Sequence, residues 1–483
     1  MAPGWPWGGD RPPRRDNSRA FAATSWLLGP LALLAPIRAQ ETRPAASVPP
    51  RYEVLRYEED YGYLADPDRR TDPFDPLKYM RLGRDDRFLS IGGDVRERYE
   101  HYRNLDFAAA PQDRDGYLLQ RTMLHADLHL GEPFRLFAQL KSNLVSDRAG
   151  GPGPTDKDAL DLHQAFFDLA VPLEQGRLTL RTGRQELAYG SQRLVSVRDG
   201  PNVRRSFDAA RAILERGPWR ADAFVAKPVE TDPGIFDDAS VEEESFWGFY
   251  STGRVLAGLD ADLYYLGLDR HDATFAQGTG DELRHSIGTR VFGKDSSFDY
   301  NFEAVFQWGE FGRGEIRAWT LASDSGLTLR DLPLSPRLGL KANVQSGDRD
   351  PGDSDLETFN PLFPRGKYFG ETGIVGPVNL RDLHPTVRLR PCDRVTLDAG
   401  WTFYWRQSLD DGVYDNGVNL LASGAGARER RIGSEISFTL EWSLGRHVAL
   451  GSAYAHFLDG PFLREVGLGR DVDYAAVTLT FRF

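Results

Sequence analysis

The sequence predicts an all-β chain: a large antiparallel transmembrane β-barrel of about 16–18 strands behind an irregular N-terminal segment. Three observations lead there. From residue 88 onward apolar and polar residues alternate with period two in one segment after another, the mark of strands with one apolar and one polar face. The segments run to the ~9–11 residues that a tilted strand needs to cross a bilayer. The chain closes on Ala475, Val477, Leu479, Phe481 and Phe483 at alternate positions, an apolar stripe that stops on an aromatic residue.

Composition narrows the class. The 483 residues carry a formal charge of −12, 49 glycines and 12% aromatics, which excludes collagen, coiled coil and disordered chains. After the first 40 residues no apolar run is long enough for a transmembrane helix. The single cysteine, Cys392, excludes an internal disulfide framework and a Cys-rich zinc site. Arginine supplies 52 of the 59 basic residues, a usage that a GC-rich genome accounts for.

The elements follow in order. Residues 1–39 read as an export signal: Arg11, Arg14, Arg15 and Arg19, then an apolar stretch from Phe21 to Ile37, then Ala39 before Gln40. The mature chain from Gln40 carries −15, which argues against nucleic acid as a partner. Residues 40–87 read as irregular, with turn signals at Asp66-Pro67, Asp72-Pro73 and Asp75-Pro76, lying outside the main fold or packed at its mouth. Residues 88–483 are the barrel. Within it Leu118, Leu124, Ala126, Leu128 and Leu130 oppose Arg121, His125, Asp127 and His129. Phe298, Tyr300, Phe302, Ala304, Phe306 and Trp308 alternate with Asp299, Asn301, Glu303 and Gln307. Leu338, Leu340, Ala342 and Val344 alternate with Arg337, Lys341, Asn343 and Gln345, and Val395 to Trp405 and Ile432 to Trp442 repeat the pattern.

A soluble sandwich would turn the apolar stripe inward. Strand length, aromatics such as Trp308, Phe403, Trp405 and Trp442 near the ends of the stripe, and the terminal Phe483 favour the stripe facing lipid. At roughly 22–25 residues per strand and connection, the chain beyond the irregular segment holds about 16–18 strands and encloses an aqueous lumen.

Several stretches carry a family resemblance: Gly92-Gly93-Asp94-Val95-Arg96-Glu97-Arg98-Tyr99-Glu100; Gly183-Arg184-Gln185-Glu186 with Tyr189-Gly190 and Arg193-Leu194; and Arg205-Ser206-Phe207-Asp208. Ser346-Gly347-Asp348, Thr358-Phe359-Asn360-Pro361, Lys367-Tyr368-Phe369-Gly370, and Trp405-Arg406 with Asp411-Gly412 and Tyr414 follow. In this order they resemble the alginate-export family of outer-membrane barrels, from about residue 50 to the C-terminus. The resemblance implies a monomeric barrel of about 18 strands in the cell outer membrane. Its lumen would be lined by arginines that pass a polyuronate, with loops closing one or both mouths. The terminal Phe483 would be read by the barrel-assembly machinery.

The residues support part of that directly. Residues 177–220 hold ten arginines and four acids inside a negatively charged chain. Arg181 lies opposite Leu178 and Leu180 and so points to the lumen, and Gly183 marks a bulge that would re-aim Arg184 inward. Arg204, Arg205 and Arg211 flank Phe207 and Asp208. With Arg193, these are the candidate contacts for an anionic saccharide, because the planar guanidinium binds carboxylates bidentately and stays charged; Arg135 and Lys141 are secondary candidates. The competing role for each is to pair with an acid across the lumen, and Asp127, Asp168, Glu186, Asp208, Glu303, Asp398, Glu435 and Glu441 are available.

Other chemistry fails on spacing. His125 and His129 lie ~13 Å apart along a strand, too far to share one ion. Asp348, Asp350, Asp353 and Asp355 could ligate calcium, but without a regular ligand spacing or a clear terminal bidentate Glu the loop 348–357 reads as solvated. No nucleophile elbow, phosphate loop or triad is present, so no enzyme, cofactor or metal is expected. The expectation is a passive outer-membrane channel for anionic oligo- or polysaccharide. The alternative is a secreted soluble β-protein that binds or cleaves polysaccharide.

Overall fold

The computed structural model describes residues 51–483; the export signal expected over 1–39 lies outside the described residues. Eighteen strands form one antiparallel sheet in which each pairs with its sequence neighbour. They are β1 Arg84–Arg103, β2 Tyr117–Leu130, β3 Phe134–Ser146, β4 Asp158–Leu173, β5 Gly176–Gln185 and β6 Phe207–Arg216. Then come β7 Trp219–Pro228, β8 Glu244–Leu256, β9 Leu259–Phe275, β10 Gly278–Lys294, β11 Phe298–Phe311 and β12 Gly314–Thr328. β13 Arg337–Gln345, β14 Leu380–Cys392, β15 Val395–Arg406, β16 Arg431–Ser443, β17 Val448–Asp459 and β18 Val472–Arg482 complete the sheet. The last strand returns to the first, from Asp94 opposite Arg482 to Arg103 opposite Asp473, and closes the barrel. Closure satisfies every ladder within the sheet, which a bilayer demands because it offers no water to unpaired backbone groups. The first strand starts four residues ahead of the expected boundary at 88, and Met80–Leu82 folds back on it as a short added strand.

The apolar stripe faces outward. Phe302 and Phe306 are 44% and 48% exposed, whereas Glu303 and Gln307 between them are 7% and 0% exposed. A soluble sandwich would show the reverse. Trp247, Tyr265, His285 and Trp308 form an aromatic band on the outer wall of β8–β11, with Tyr265 bonded to His285 Nδ1 at 2.8 Å. Both barrel termini lie at one end, where the turns are short, such as 174–175, 217–218, 257–258 and 393–394. The opposite end carries the long connections 186–206, 346–379 and 407–430. In outer-membrane barrels short turns face the periplasm and long loops the exterior.

Two of these connections, 186–206 and 346–379, fold into the barrel and zip together. Val195 pairs with Phe363 in parallel. Ser196 N donates to Phe363 O at 3.0 Å, Phe363 N to Leu194 O at 2.8 Å and Arg365 N to Gln192 O at 3.0 Å. Apolar burial drives them in: Leu187, Leu194, Val195, Phe359 and Phe363 pack with the inward rings Phe207, Phe224 and Phe246. The lumen is therefore not uniformly polar, because where loops fill it the wall becomes a protein core.

Candidate functional site

The described part of the irregular N-terminal segment, from Arg51, is a plug inside the barrel. Tyr57, Tyr61, Leu64 and Tyr79 are 0–4% exposed. Arg56 is the anchor: its Nη1 donates to Gly93 O at 3.1 Å, its Nη2 to Phe483 O at 2.9 Å, and its Nε to Glu59 at 2.7 Å. The Tyr57 ring lies edge-on to Phe137 and Phe166 beneath the Arg181 guanidinium, and its hydroxyl donates to Glu186 O at 3.0 Å. Arg204 Nη2 donates to Val54 O at 2.8 Å. The plug is thus tied both to the wall and to the in-folded 186–206 loop.

The Gly92-Gly93 stretch supports these contacts. A Cβ on Gly92 would overlap Lys78 Nζ and the His125 ring, and one on Gly93 would meet the Phe483 ring. Arg96 donates to Asp199 O at 2.8 Å and Pro201 O at 2.7 Å, and Arg98 to Gly200 O at 2.5 Å. Arg121 pairs with Asp199 at 2.8 Å. The motif is a cradle of guanidinium groups for the turn of the in-folded loop.

The eight expected contact residues divide accordingly. Arg181 is bound bidentately by Asp168 at 2.7 and 2.8 Å, Arg135 by Asp127 at 2.7 Å, and Arg211 is paired with Asp222 beside Tyr189. All three face the lumen but lie within the plug and its wall. Lys141 Nζ sits 2.6 Å from Asp158 and 2.5 Å from Asp238. Asp158, Asp161 and Asp238 are, among the described residues, the carboxylates grouped closely enough for an ion, and the lysine already neutralises two of them. The aspartates of 348–357 do not gather in this way. Arg184 differs from expectation. Strand pairing is regular through Gly183, with no bulge, so Arg184 shares the outward side with Leu178 and Leu180 and binds Asp208 at 3.0 Å at the rim. Arg193 pairs with Glu303 at 2.6 Å and bonds the Tyr368 hydroxyl, and Arg204 pairs with Glu186 at 2.7 Å. Burial outweighs that arginine and pushes the Glu186 carboxyl up to about 7. Arg205 lies over the Phe363 ring, 5.0 Å from its centroid, and forms no ion pair among the described residues.

The open volume lies on the opposite wall. A cavity of about 1150 Å³ runs along β10–β16 to the short-turn end, where Lys294, Arg330 and Asp393 line it. Its floor is Ser191, Arg365, Lys367, Tyr368 and Glu371 from the two in-folded loops. Eight Lys and Arg side chains face it against six Asp and Glu. Arg337 is held by Asp299 at 2.6 Å and Arg388 by Asp398 at 2.7 Å. Lys294, Arg330, Lys341, Arg365 and Arg390 form no ion pair among the described residues, and Lys341 lies 4.9 Å from the centre of the Tyr368 ring. The polar-face positions of Arg337 and Lys341 were readable from alternation. Their gathering was not, because the cavity draws on residues scattered between Ser191 and Glu441, mostly beyond 294, rather than on one basic cluster.

The alginate export family model matches residues 87–477. The chain belongs to the alginate export family. No curated protein matches it. Among solved structures this alginate export barrel is similar to Pseudomonas aeruginosa OccK11 (OpdR), at 13% identity over 84% of this chain and 97% of that one, with a TM-score of 0.53. It is also similar to Acinetobacter baumannii OccAB2, at 10% identity over 82% and 98%, and to P. aeruginosa OccD3 (OpdP), at 12% over 82% and 91%, each with a TM-score of 0.56. At these identities the likeness is one of fold.

Proposed function

We propose that this member of the alginate export family is a passive outer-membrane channel, not an enzyme, for anionic oligo- or polysaccharide of the polyuronate kind. The observation that carries the reading is the polar cavity, rich in arginine and lysine without ion pairs, inside a chain of net negative charge. Low-dielectric walls focus the field of such groups, so the lumen and not the surface sets the preference for anions. Lys341, Arg365 and Arg390 are the proposed first contacts. Arg193, Arg204 and Arg205 stand where a chain would pass if the loops and the plug part, and Arg135, Arg181 and Arg211 line the path that the plug now fills. Arg184 and Lys141 act as structural partners of acids. One barrel encloses its own cavity, which suits a monomer, and Phe483 supplies the terminal aromatic for assembly.

The test is conductance in planar bilayers. Lys341→Ala with Arg365→Ala should lower the anion-to-cation permeability ratio in a salt gradient and weaken block by uronate oligomers. The effect should shrink at high salt, where screening shortens to a few ångströms. An unchanged reversal potential would overturn the anion reading.

A further inference from the structure

On the outer wall of β10–β14 the apolar belt is interrupted by a groove of about 440 Å³. Small side chains form its floor, Thr289, Ala304, Ser323 and Ala342, between the taller Phe302 and Leu321. The strand register aligns Arg381, Val344, Leu321, Ala304 and Thr289 in one row across the five strands. The row begins at the long-loop rim, where Arg381 is the second residue of β14. Ala304 lies four positions from Trp308, and Thr289 four from His285, about 13 Å along each strand below the aromatic band. The groove therefore starts at the level of the headgroups and descends among the acyl chains.

Its upper end is cationic. Arg381 lines the groove, faces outward and is directly opposite Trp405, and Trp405 is opposite Arg431 on the next strand. Both arginines are exposed, and neither forms an ion pair among the described residues. Two strand spacings separate them, about 10 Å between Cα atoms, so two side chains can close on one anion across Trp405. An unpaired guanidinium at the edge of a hydrocarbon belt is stabilised by an anion that stays at that depth, and phosphate accepts its planar fork bidentately.

We propose that this site binds a phosphorylated lipid of the leaflet on the long-loop side, with an acyl chain in the groove and a phosphate between Arg381 and Arg431. The site uses the outer wall alone and is independent of what passes through the lumen. Diphosphoryl lipid A and its dephosphorylated form, titrated against the purified barrel in detergent and read by native mass spectrometry, test it. Wild-type protein should bind the phosphorylated form about tenfold or more tightly. Arg381→Ala with Arg431→Ala should remove that preference while heat-modifiable gel mobility shows the barrel intact. Ser323→Trp, which fills the floor, should weaken binding of both lipids and leave the phosphate preference in place. Equal binding of the two lipids by the wild type, or a double variant that keeps the preference, would overturn the proposal.

Discussion

Lys78 is the residue on which the closed state turns. It is 1% exposed, its ammonium has no hydrogen-bond acceptor, and it lies 4.8 Å from the centre of the Tyr61 ring. Burial, aided by the Arg56 guanidinium, pushes its pKa down to about 7. A released lysine titrates near 10.4. Between those values the released segment holds a proton that the docked one does not, so Lys78 strengthens docking as pH rises from about 7 to 10 and adds no pH dependence below. Glu186 works in the opposite window. Raised to about 7, it favours closure below its ordinary value of ~4.3 and loses that contribution as pH rises to neutrality. Conductance should therefore fall between pH 7 and 10, and Lys78→Met should abolish that fall and leave the channel more closed. Gly92→Val should act the other way, because a side chain there displaces Lys78 and opens the plug. Phe483 serves two purposes, ending the outward stripe and accepting Arg56 through its carbonyl. Phe483→Asp should reduce the amount of folded barrel recovered in membranes, read by heat-modifiable mobility, and unchanged amounts would remove it as an assembly signal.

At the scale of elements, alternation within a strand decides what a substitution does. On β11 Phe302 and Phe306 face lipid, and the Phe306 ring stacks on Trp308 at 6.1 Å near the band. Phe302→Arg should cost ~2–4 kcal/mol in unfolding titrations if it lies near the midplane, and Phe306→Arg less. The inward Gln307 is a tether and not a free lumen group. Its Oε1 accepts from Arg284 at 2.8 Å and from Asn360 N at 3.0 Å, while its Nε2 donates to Asn360 O at 2.8 Å. Gln307→Ala leaves those loop groups unsatisfied, at about 1–3 kcal/mol, and should loosen loop 346–379. Higher single-channel conductance with unchanged strand content by circular dichroism is the expected readout.

For the whole molecule, closure is double: a plug from the short-turn end and a zipped pair of loops from the other. The N-terminal segment holds its place by contacts to β1, β3, β5 and the in-folded loop, and the barrel ladder does not depend on it. Deleting residues 51–79 from the exported chain should leave heat-modifiable mobility intact and raise conductance several-fold, still limited by the loops. A deletion variant with wild-type conductance would show that the loops alone close the lumen. Adding Gln307→Ala should raise it further, since it acts on the other closure, which the plug meets through hydrogen bonds of Tyr57 and Val54 to the 186–206 loop.

The barrel itself was legible in the sequence. A period of two, repeated over strands long enough to cross a bilayer and ending on Phe483, admits few folds, because a membrane forces every backbone group into a closed ladder. Apart from Arg184, where a bulge was expected that the pairing does not have, which side of a strand faces lipid was also readable where alternation is unbroken, as Phe302 and Glu303 show. Where the open path runs was not. The basic segment 177–220 stands out in sequence, yet Arg181 and Arg211 are held by Asp168 and Asp222 against a plug from residues 51–79. Those partners lie on neighbouring strands, and the plug comes from more than a hundred positions away. The open cavity is lined instead by Lys294, Lys341, Arg365 and Arg390, brought together by the curvature of the barrel and an in-folded loop. Pairing of charges in a lumen depends on the register between strands and on where plug and loops fold in, which the pattern within one strand does not encode; only the closed tertiary structure decides which cations keep their charge free.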